Sequence, residues 1–386
     1  MHQDQAKSEK MKRAGKLWDK FLEPGNALAA IMAGTQKKRG DRIVRQFLYS
    51  DEEVREDPSL YHQIDPKRAE PYIRELIEDL RMGRWQHRTP YCNEIVSKSQ
   101  NKAGGKRRTV YVPCLRDHIV QHMVIQVCAE VFNRGMHPHC CGSVPGRGQY
   151  HVVKTAGRWF KRDRQCRYFV KLDIRHFFDS IRPELLMDVI KRKVKDQFIL
   201  EIFYQIIHAA PTACPIGFYV SPILANLFLQ DFDHFVEQEL YKVRRGKRIK
   251  YVRHYMRYMD DMLLIGTSKA DLYKAVREIR KYLRTIGLEI KPEWEIKRIG
   301  IDWCDYIGYR FSRDAVVLRR GIFLSAARLA RKMGRAGYYT LKQCMSLNAR
   351  IGWARHCDSR CFAERFIKPF VNIFITRRII ACGSKV

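Results

Sequence analysis

Tyr255-Met-Arg-Tyr-Met-Asp-Asp-Met-Leu-Leu-Ile-Gly266 sets two adjacent carboxylates, Asp260 and Asp261, between two apolar runs. Short β-prone runs on both sides of a polar pair predict strand, tight turn, strand. Such a turn holds its carboxylates on a rigid support, and a divalent-metal site needs that support. A solvent-exposed Asp-Asp turn fits the same residues, because Asp is a common turn residue. The rest of the chain has to separate the two readings.

The chain has 386 residues, 46% of them hydrophobic, which is enough for a sizeable core and excludes a disordered protein. Its charge is far from balanced: 73 Lys+Arg stand against 41 Asp+Glu, a formal net charge of +32. A chain with that excess repels itself unless it meets a polyanion. Nucleic acid is the first candidate, because backbone phosphates supply affinity without sequence readout. An anionic membrane ranks below it, since there is no uncharged apolar span of about 18 residues. The N-terminus, Met1-His-Gln-Asp-Gln-Ala, lacks a signal-peptide core, so a cytoplasmic location is expected. The 12 cysteines include no Cys-x-x-Cys pair, which predicts reduced thiols rather than a disulfide frame or zinc ribbon. His137-Pro-His-Cys-Cys141 and His356-Cys357 with Cys361 read as loop histidines and buried thiols.

Residues 1–45 are basic, with Trp18, Phe21 and Leu22 on one helix face, and read as a solvated extension or an RNA contact. Tyr72 to Leu80 has helical spacing that Gly83 ends, and Trp85 to Tyr91 is extended. Lys102-Ala-Gly-Gly-Lys-Arg-Arg-Thr-Val-Tyr-Val-Pro113 predicts a hairpin with a basic tip that can clamp a triphosphate. A plain exposed basic turn fits it too. Leu115 to Cys128 is helical. In Cys141-Gly-Ser-Val-Pro-Gly-Arg-Gly148 the glycines allow close backbone approach, and Arg147 is a phosphate candidate. A helix is expected from His151 to Arg162. Tyr168 to Leu172 reads as a buried strand with Asp173 at its end; Phe177-Phe178 and Asp179 follow. Leu185 to Ile207 reads as one helix. A second long helix opens near Ser221, with Pro222 in its first turn and Asp231, Asp233 and Glu237 on a solvated face. Lys242 to Lys250 is a basic turn, and Lys269 to Leu283 a helix. Residues 321–386 are helical, basic and rich in aromatics, suited to holding a duplex or simply to forming a packed domain with a charged surface.

Adjacent strands would bring Asp173, Asp260 and Asp261 together. Three carboxylates without basic partners repel and need cations, and two Mg²⁺ ions about 3.5–4 Å apart would suit them. The reaction class is in-line phosphoryl transfer, in which positioning and charge neutralisation carry most of the catalysis.

In order and spacing, Phe169-Val-Lys-Leu-Asp173, Ile216-Gly-Phe-Tyr-Val-Ser-Pro222 and Tyr258-Met-Asp-Asp261 resemble the palm motifs of reverse transcriptases. Gly287-Leu-Glu-Ile and Tyr306-Ile-Gly-Tyr-Arg-Phe311 are similar to the next palm motif and the primer grip. Arg108-Thr-Val-Tyr-Val-Pro113 and Leu115-Arg-Asp-His-Ile-Val-Gln121 resemble the fingers motifs of bacterial and group II intron-type enzymes. The resemblance covers roughly residues 70 to 375. It implies an α+β right-hand polymerase: a basic extension (1–45), fingers (46–165), a palm whose antiparallel sheet carries the Asp-Asp hairpin (166–315), and a helical thumb and tail (316–386). It implies metal binding by Asp173, Ile174, Asp260 and Asp261, with Asp261 the less direct ligand and Mg²⁺ or Mn²⁺ the ion. Lys106, Arg108, Phe178, Ile216, Gly217 and Ser221 would bind the nucleotide, with Phe178 as the gate against a ribose 2′-hydroxyl. Arg116, Arg147, Tyr258, Met259, Gly308, Tyr309, Arg328, Arg331 and Lys332 would contact nucleic acid. Partners would be template RNA, primer or cDNA, and dNTPs.

Within the family the chain most resembles the compact enzymes of diversity-generating retroelements. Ile216 stands where retroviral and intron enzymes usually have Gln, and Trp294-Glu-Ile and Ile301-Asp-Trp also fit that subgroup. Pro222 departs from it, since the subgroup typically has Gln there and intron-type enzymes have Pro. Trp294 stands where many members have a Lys that protonates pyrophosphate; Lys291 or Lys297 is the nearest substitute. The subgroup implies error-prone copying of a template-repeat RNA and a small basic accessory protein. An anti-phage defence enzyme or other bacterial reverse transcriptase with a partner non-coding RNA, and a catalytically silent RNA-binding scaffold, are the alternatives.

Overall fold

The computed structural model describes residues 13–97 and 106–383. The tip of the predicted basic hairpin and the first residues of the basic N-terminal segment lie outside them. The chain forms an α+β fold that groups into two compact units. The first draws on residues up to Met136, His176–Gln230 and Ile286–Leu288; the second on His137–Arg175, Asp231–Thr285 and the residues from Glu289 onward. Among the described residues no helix is long and apolar enough to cross a membrane.

The first unit is mainly helical. An antiparallel ribbon pairs β1 (Tyr91–Ser97) with β2 (Lys106–Val112). The N-terminal segment corrects the expectation of a solvated extension. Helix Pro24–Thr35 buries Ala27, Ala30 and Ile31 completely. The Asn26 side-chain amide donates to the Met123 carbonyl, tying this helix to helix Leu115–Asn133. The expected helix from Leu185 to Ile207 is two, Pro183–Lys193 and Gln197–His208. Asp196 interrupts it. Its carboxylate accepts from the Ile199 N–H to cap the second helix, and from the N–H groups of Leu17 and Trp18 at 3.0 Å. Two ladder bonds at 2.8 Å join Ala14 to Lys193 and Lys195, so the early chain occupies the gap.

The second unit is built on a sheet of order β3-β7-β8-β4-β9. Its strands are β3 (Cys140–Cys141), β4 (Tyr168–Asp173), β7 (His254–Tyr258), β8 (Asp261–Gly266) and β9 (Ile296–Arg298). β5 (Tyr241–Arg244) and β6 (Lys247–Lys250) form the expected basic hairpin. β10 (Cys304–Tyr306), β11 (Tyr309–Phe311) and β12 (Val316–Leu318) form a second small sheet. All pairings are antiparallel except β3 with β7. Strand alternation covers both faces of the main sheet. Phe169, Met256, Leu263 and Ile265 enter a core shared with Phe160, Phe311 and the C-terminal helices. Met262 to Ile265 are all 0% exposed, so β8 reads as one apolar run because both faces are covered.

The second long helix also divides, into Ser221–Phe228 and Gln230–Gln238. Asp233, expected on its solvated face, is fully buried. It accepts from Arg257 Nε and Nη2 at 2.7 and 2.6 Å and from the Tyr255 hydroxyl at 2.7 Å. Burial and then the Asp233 charge push the Tyr255 hydroxyl well above its ordinary pKa, so it stays a donor. A charge this deep survives only with a complete set of partners. Asp233→Ala is therefore expected to destabilise the protein by about 3–5 kcal/mol. Urea unfolding measures this, and a loss under about 1 kcal/mol would show that the pair is not an isolated buried couple.

Candidate active site

Apolar β strands bring the acids together. Asp173 ends β4 and Asp261 begins β8, and the antiparallel register sets them directly opposite each other. Cβ atoms of such pairs lie about 4.5–5.5 Å apart. Asp260 sits in the turn between β7 and β8, and its carbonyl accepts from the Ile174 N–H at 3.3 Å. Ile174 bridges Ile290 on its other side. Its side chain is buried, so the carbonyl is the atom it can offer a cation.

The turn is braced from within the strand before it. Met259 adopts φ +57°, uncommon for a residue with a side chain. Arg257 Nη1 donates to the Met259 carbonyl at 3.0 Å, and Arg257 Nη2 lies 3.2 Å from Cys140 Sγ. The guanidinium that neutralises Asp233 thus also fixes the turn. From the other side, the buried Tyr306 hydroxyl donates to the Asp261 carbonyl at 3.0 Å.

The electrostatics are those of crowded acids. Burial, then Asp260 and Asp173, push the Asp261 carboxyl up to about 6. Basic neighbours are present, contrary to the expectation of acids without any: Lys291 Nζ lies 2.5 Å from Asp173 Oδ1, and Lys171 and Lys291 both oppose the rise at Asp261. The Lys291 ion pair is the contact on an otherwise unpartnered buried oxygen. A carboxylate crowded by like charges, with only an ammonium against it, is what a hard divalent cation fits.

The remaining candidates divide between the units. Arg108 is exposed on β2, paired across the ribbon with Ile95, and Lys106 begins that strand. Phe178 is half-buried in the short helix Phe177–Ser180, its ring 5.3 Å from that of Phe177. The Ile216 carbonyl accepts from the Tyr111 N–H at 2.7 Å, so the loop lies along β2. Gly217 allows it: φ is +110°, and a Cβ would fall 2.3 Å from the Tyr111 carbonyl oxygen. Ser221 is buried and donates to the Pro215 carbonyl at 2.7 Å.

Among the proposed nucleic-acid contacts, Arg328, Arg331 and Lys332 are exposed on helix Arg320–Ala336. Tyr258 is half-buried. Others face inward. Arg116 pairs with Asp79 and Glu75. Arg147 Nη1 donates to the His137 carbonyl at 2.8 Å and so closes its own loop. Tyr309 corrects the expectation: it is 1% exposed, stacks on Trp353 and donates its hydroxyl to the Trp353 carbonyl, so its ring cannot reach a nucleic acid. Gly308 beside it lies where a Cβ would be 2.2 Å from the Trp353 ring, a packing requirement. Sequence reasoning missed Arg257, Asp233 and Tyr306. Arg257 carried a signal, a charged residue inside an otherwise apolar strand.

The raised Asp261 carboxyl has a definite sign. Its folded pKa of about 6 exceeds the ordinary 3.8, so the metal-free protein loses stability as pH rises from about 4 to about 6. Asp261→Asn in EDTA should be more stable than wild type at pH 8, by about 1–3 kcal/mol, and equal to it near pH 3.5. Urea midpoints at the two pH values check this; no gain at pH 8 contradicts the crowding.

Residues 100–310 match the family model described as reverse transcriptase (RNA-dependent DNA polymerase). Protein YkfC of Escherichia coli is 24% identical over 247 residues, covering 55% of this chain and 65% of that protein. The group II intron-encoded protein LtrA of Lactococcus lactis is 25% identical over 236 residues, 56% of this chain and 38% of LtrA. The retron Ec73 reverse transcriptase of Escherichia coli is 26% identical over 204 residues, 50% of this chain and 59% of that enzyme. The chain thus spans less than two thirds of each of these relatives. The matched residues include Asp173, Asp260 and Asp261, and the chain belongs to the reverse transcriptase (RNA-dependent DNA polymerase) family.

Proposed function

We propose that the chain is an RNA-directed DNA polymerase that extends a primer 3′-hydroxyl on an RNA template. The observation that carries this reading is the facing pair Asp173 and Asp261, crowded enough to raise the Asp261 carboxyl, in a chain of this family. Asp173, Asp260, Asp261 and the Ile174 carbonyl would hold two Mg²⁺ or Mn²⁺ ions, whose chemistry is to neutralise the triphosphate and acidify the primer hydroxyl. The chain's own groups do the positioning. Arg108 and Lys106 would bind the dNTP triphosphate, Arg108 by paired N–H donors. Phe178 would exclude a ribose 2′-hydroxyl. Gly217 and Ser221 would hold the pocket loop, with Ile216 toward the nascent pair. Lys297 pairs with Glu295 at 3.4 Å, whereas Lys291 pairs with Asp173. Lys291 is therefore the better candidate to protonate pyrophosphate where Trp294 has replaced the family's lysine. Residues 46–165, 166–315 and 316–386 would serve as fingers, palm and thumb, with Arg328, Arg331 and Lys332 against the duplex, in a cytoplasmic setting.

Primer extension on a defined RNA template tests the reading. Wild type should make DNA with Mg²⁺ and none in EDTA, and Asp260→Ala with Asp261→Ala should lose on the order of 10³-fold or more. A wild type that extends no primer on any RNA, its native RNA included, would favour a silent RNA-binding scaffold.

The finer reading is mutagenic copying of a template-repeat RNA in a diversity-generating retroelement, beside a small basic accessory protein. Ile216 supports it: an apolar side chain cannot make the amide contacts that help check a nascent pair. Pro222 departs from that subgroup, as intron-type enzymes do, and so keeps open the second reading, an anti-phage defence enzyme or another bacterial reverse transcriptase using a partner non-coding RNA. Ile216→Gln should lower misincorporation opposite template adenine. Sequenced products with an unchanged adenine error rate would remove Ile216 from the account.

A further inference from the structure

Helix Gln149–Arg162 has two unlike faces. Val152, Val153, Ala156, Trp159 and Phe160 are buried in the core. On the other side Tyr150, Lys154, Arg158 and Arg162 recur at every fourth residue and are all exposed. Each step along this stripe rises about 6 Å. The helix contains no carboxylate.

The stripe is one wall of an open cleft of about 970 Å³. The facing wall comes from the C-terminal helices, through Arg355, His356 and Arg377. Six Lys/Arg side chains line the cleft against a single acid, Asp358. That acid is already engaged, accepting from Lys161 Nζ and from the Val316 N–H, each at 2.8 Å. Among the described residues Arg158, Arg162, Arg355 and Arg377 form no ion pair. Cations gathered this way repel, and among the described residues lining the cleft only Asp358, on Lys161, offsets them. The cleft also holds an aromatic ledge: the Tyr150 and His356 rings are 4.6 Å apart, and Lys154 Nζ lies 6.0 Å from the Tyr150 ring centre. None of the candidate active-site residues lines it.

A cationic groove with exposed aromatics is the build of a single-strand nucleic-acid site, in which phosphates take the charges and a base stacks. A duplex keeps its bases stacked inside and has no use for the ledge. An acidic protein segment would use the charges but not the paired rings. We infer that this cleft binds a single-stranded segment of RNA, with phosphates on Arg158, Arg162 and Arg377 and a base on Tyr150 and His356. The inference takes from the proposed function only that RNA is the substrate, and it adds a second RNA contact outside the catalytic channel.

The probe is a labelled, unstructured oligouridylate, with binding followed by anisotropy across a salt series. The first variant is Lys154→Gln, Arg158→Gln, Arg162→Gln; the second, from the opposite wall, is Arg355→Gln, Arg377→Gln. The first should lower the slope of log affinity against log salt by about two and weaken binding on the order of tenfold. The second should lower the slope by about one to one and a half. Extension of a short pre-annealed primer–template should stay within about twofold of wild type in both, since no catalytic-channel charge is removed. Unchanged affinity and slope in both variants would overturn the inference, and would leave the cleft to an acidic protein partner. A wild type that binds RNA through the cleft but extends no primer would uphold this inference and sink the polymerase reading.

Discussion

The buried pair of Arg257 and Asp233 is the constraint on which the site depends. A guanidinium with no solvent exposure is tolerable only because two carboxylate bonds, a backbone carbonyl and a thiol surround it. That guanidinium is one residue from the end of β7, so satisfying it also fixes the carbonyl of Met259. The left-handed Met259 then sets where Asp260 and Asp261 emerge. A buried charge of this kind adds little net stability. Its value is that only one arrangement of the turn satisfies it.

The acids have the opposite problem. The register that aligns Asp173 with Asp261 also forces like charges together on a rigid edge. The metal-free chain offsets this in two ways. Asp261 takes up a proton more readily than a free carboxyl, and Lys291 leans on Asp173. Both are weak substitutes for a divalent cation: the lysine brings a single charge to one oxygen of Asp173, and the proton is gone by neutral pH. A site held together against its own charge is poised to take up cations without moving its backbone.

Much of this was legible in the sequence. The hairpin around Asp260 and Asp261, the strand ending at Asp173 and the helix Lys269–Thr285 followed from apolar period and turn residues. Where local pattern misled, a distant partner had decided the outcome. Asp233 has the helical spacing of a surface acid, and its distant partners Arg257 and Tyr255 draw it inward. Val194 to Asp196 break a good helical pattern because the chain around Ala14 occupies that place. Tyr309 belongs to a motif read as a nucleic-acid contact, yet Trp353 takes its ring and its hydroxyl. Residues 13–45 looked solvated because small apolar residues such as Ala27 and Ala30 give little signal until helix Leu115–Asn133 covers them.

The central claim is that Asp173, Asp260 and Asp261 form one divalent-cation site, and direct binding tests it without any assumption about substrate. Mn²⁺ titrated into the full chain can be followed by electron paramagnetic resonance, with Asp173→Asn alongside wild type. The account predicts that wild type takes up Mn²⁺ at pH 8, that uptake weakens as pH falls through about 6, and that the variant loses it. Equal Mn²⁺ uptake by wild type and variant, or uptake indifferent to pH across that range, would contradict it.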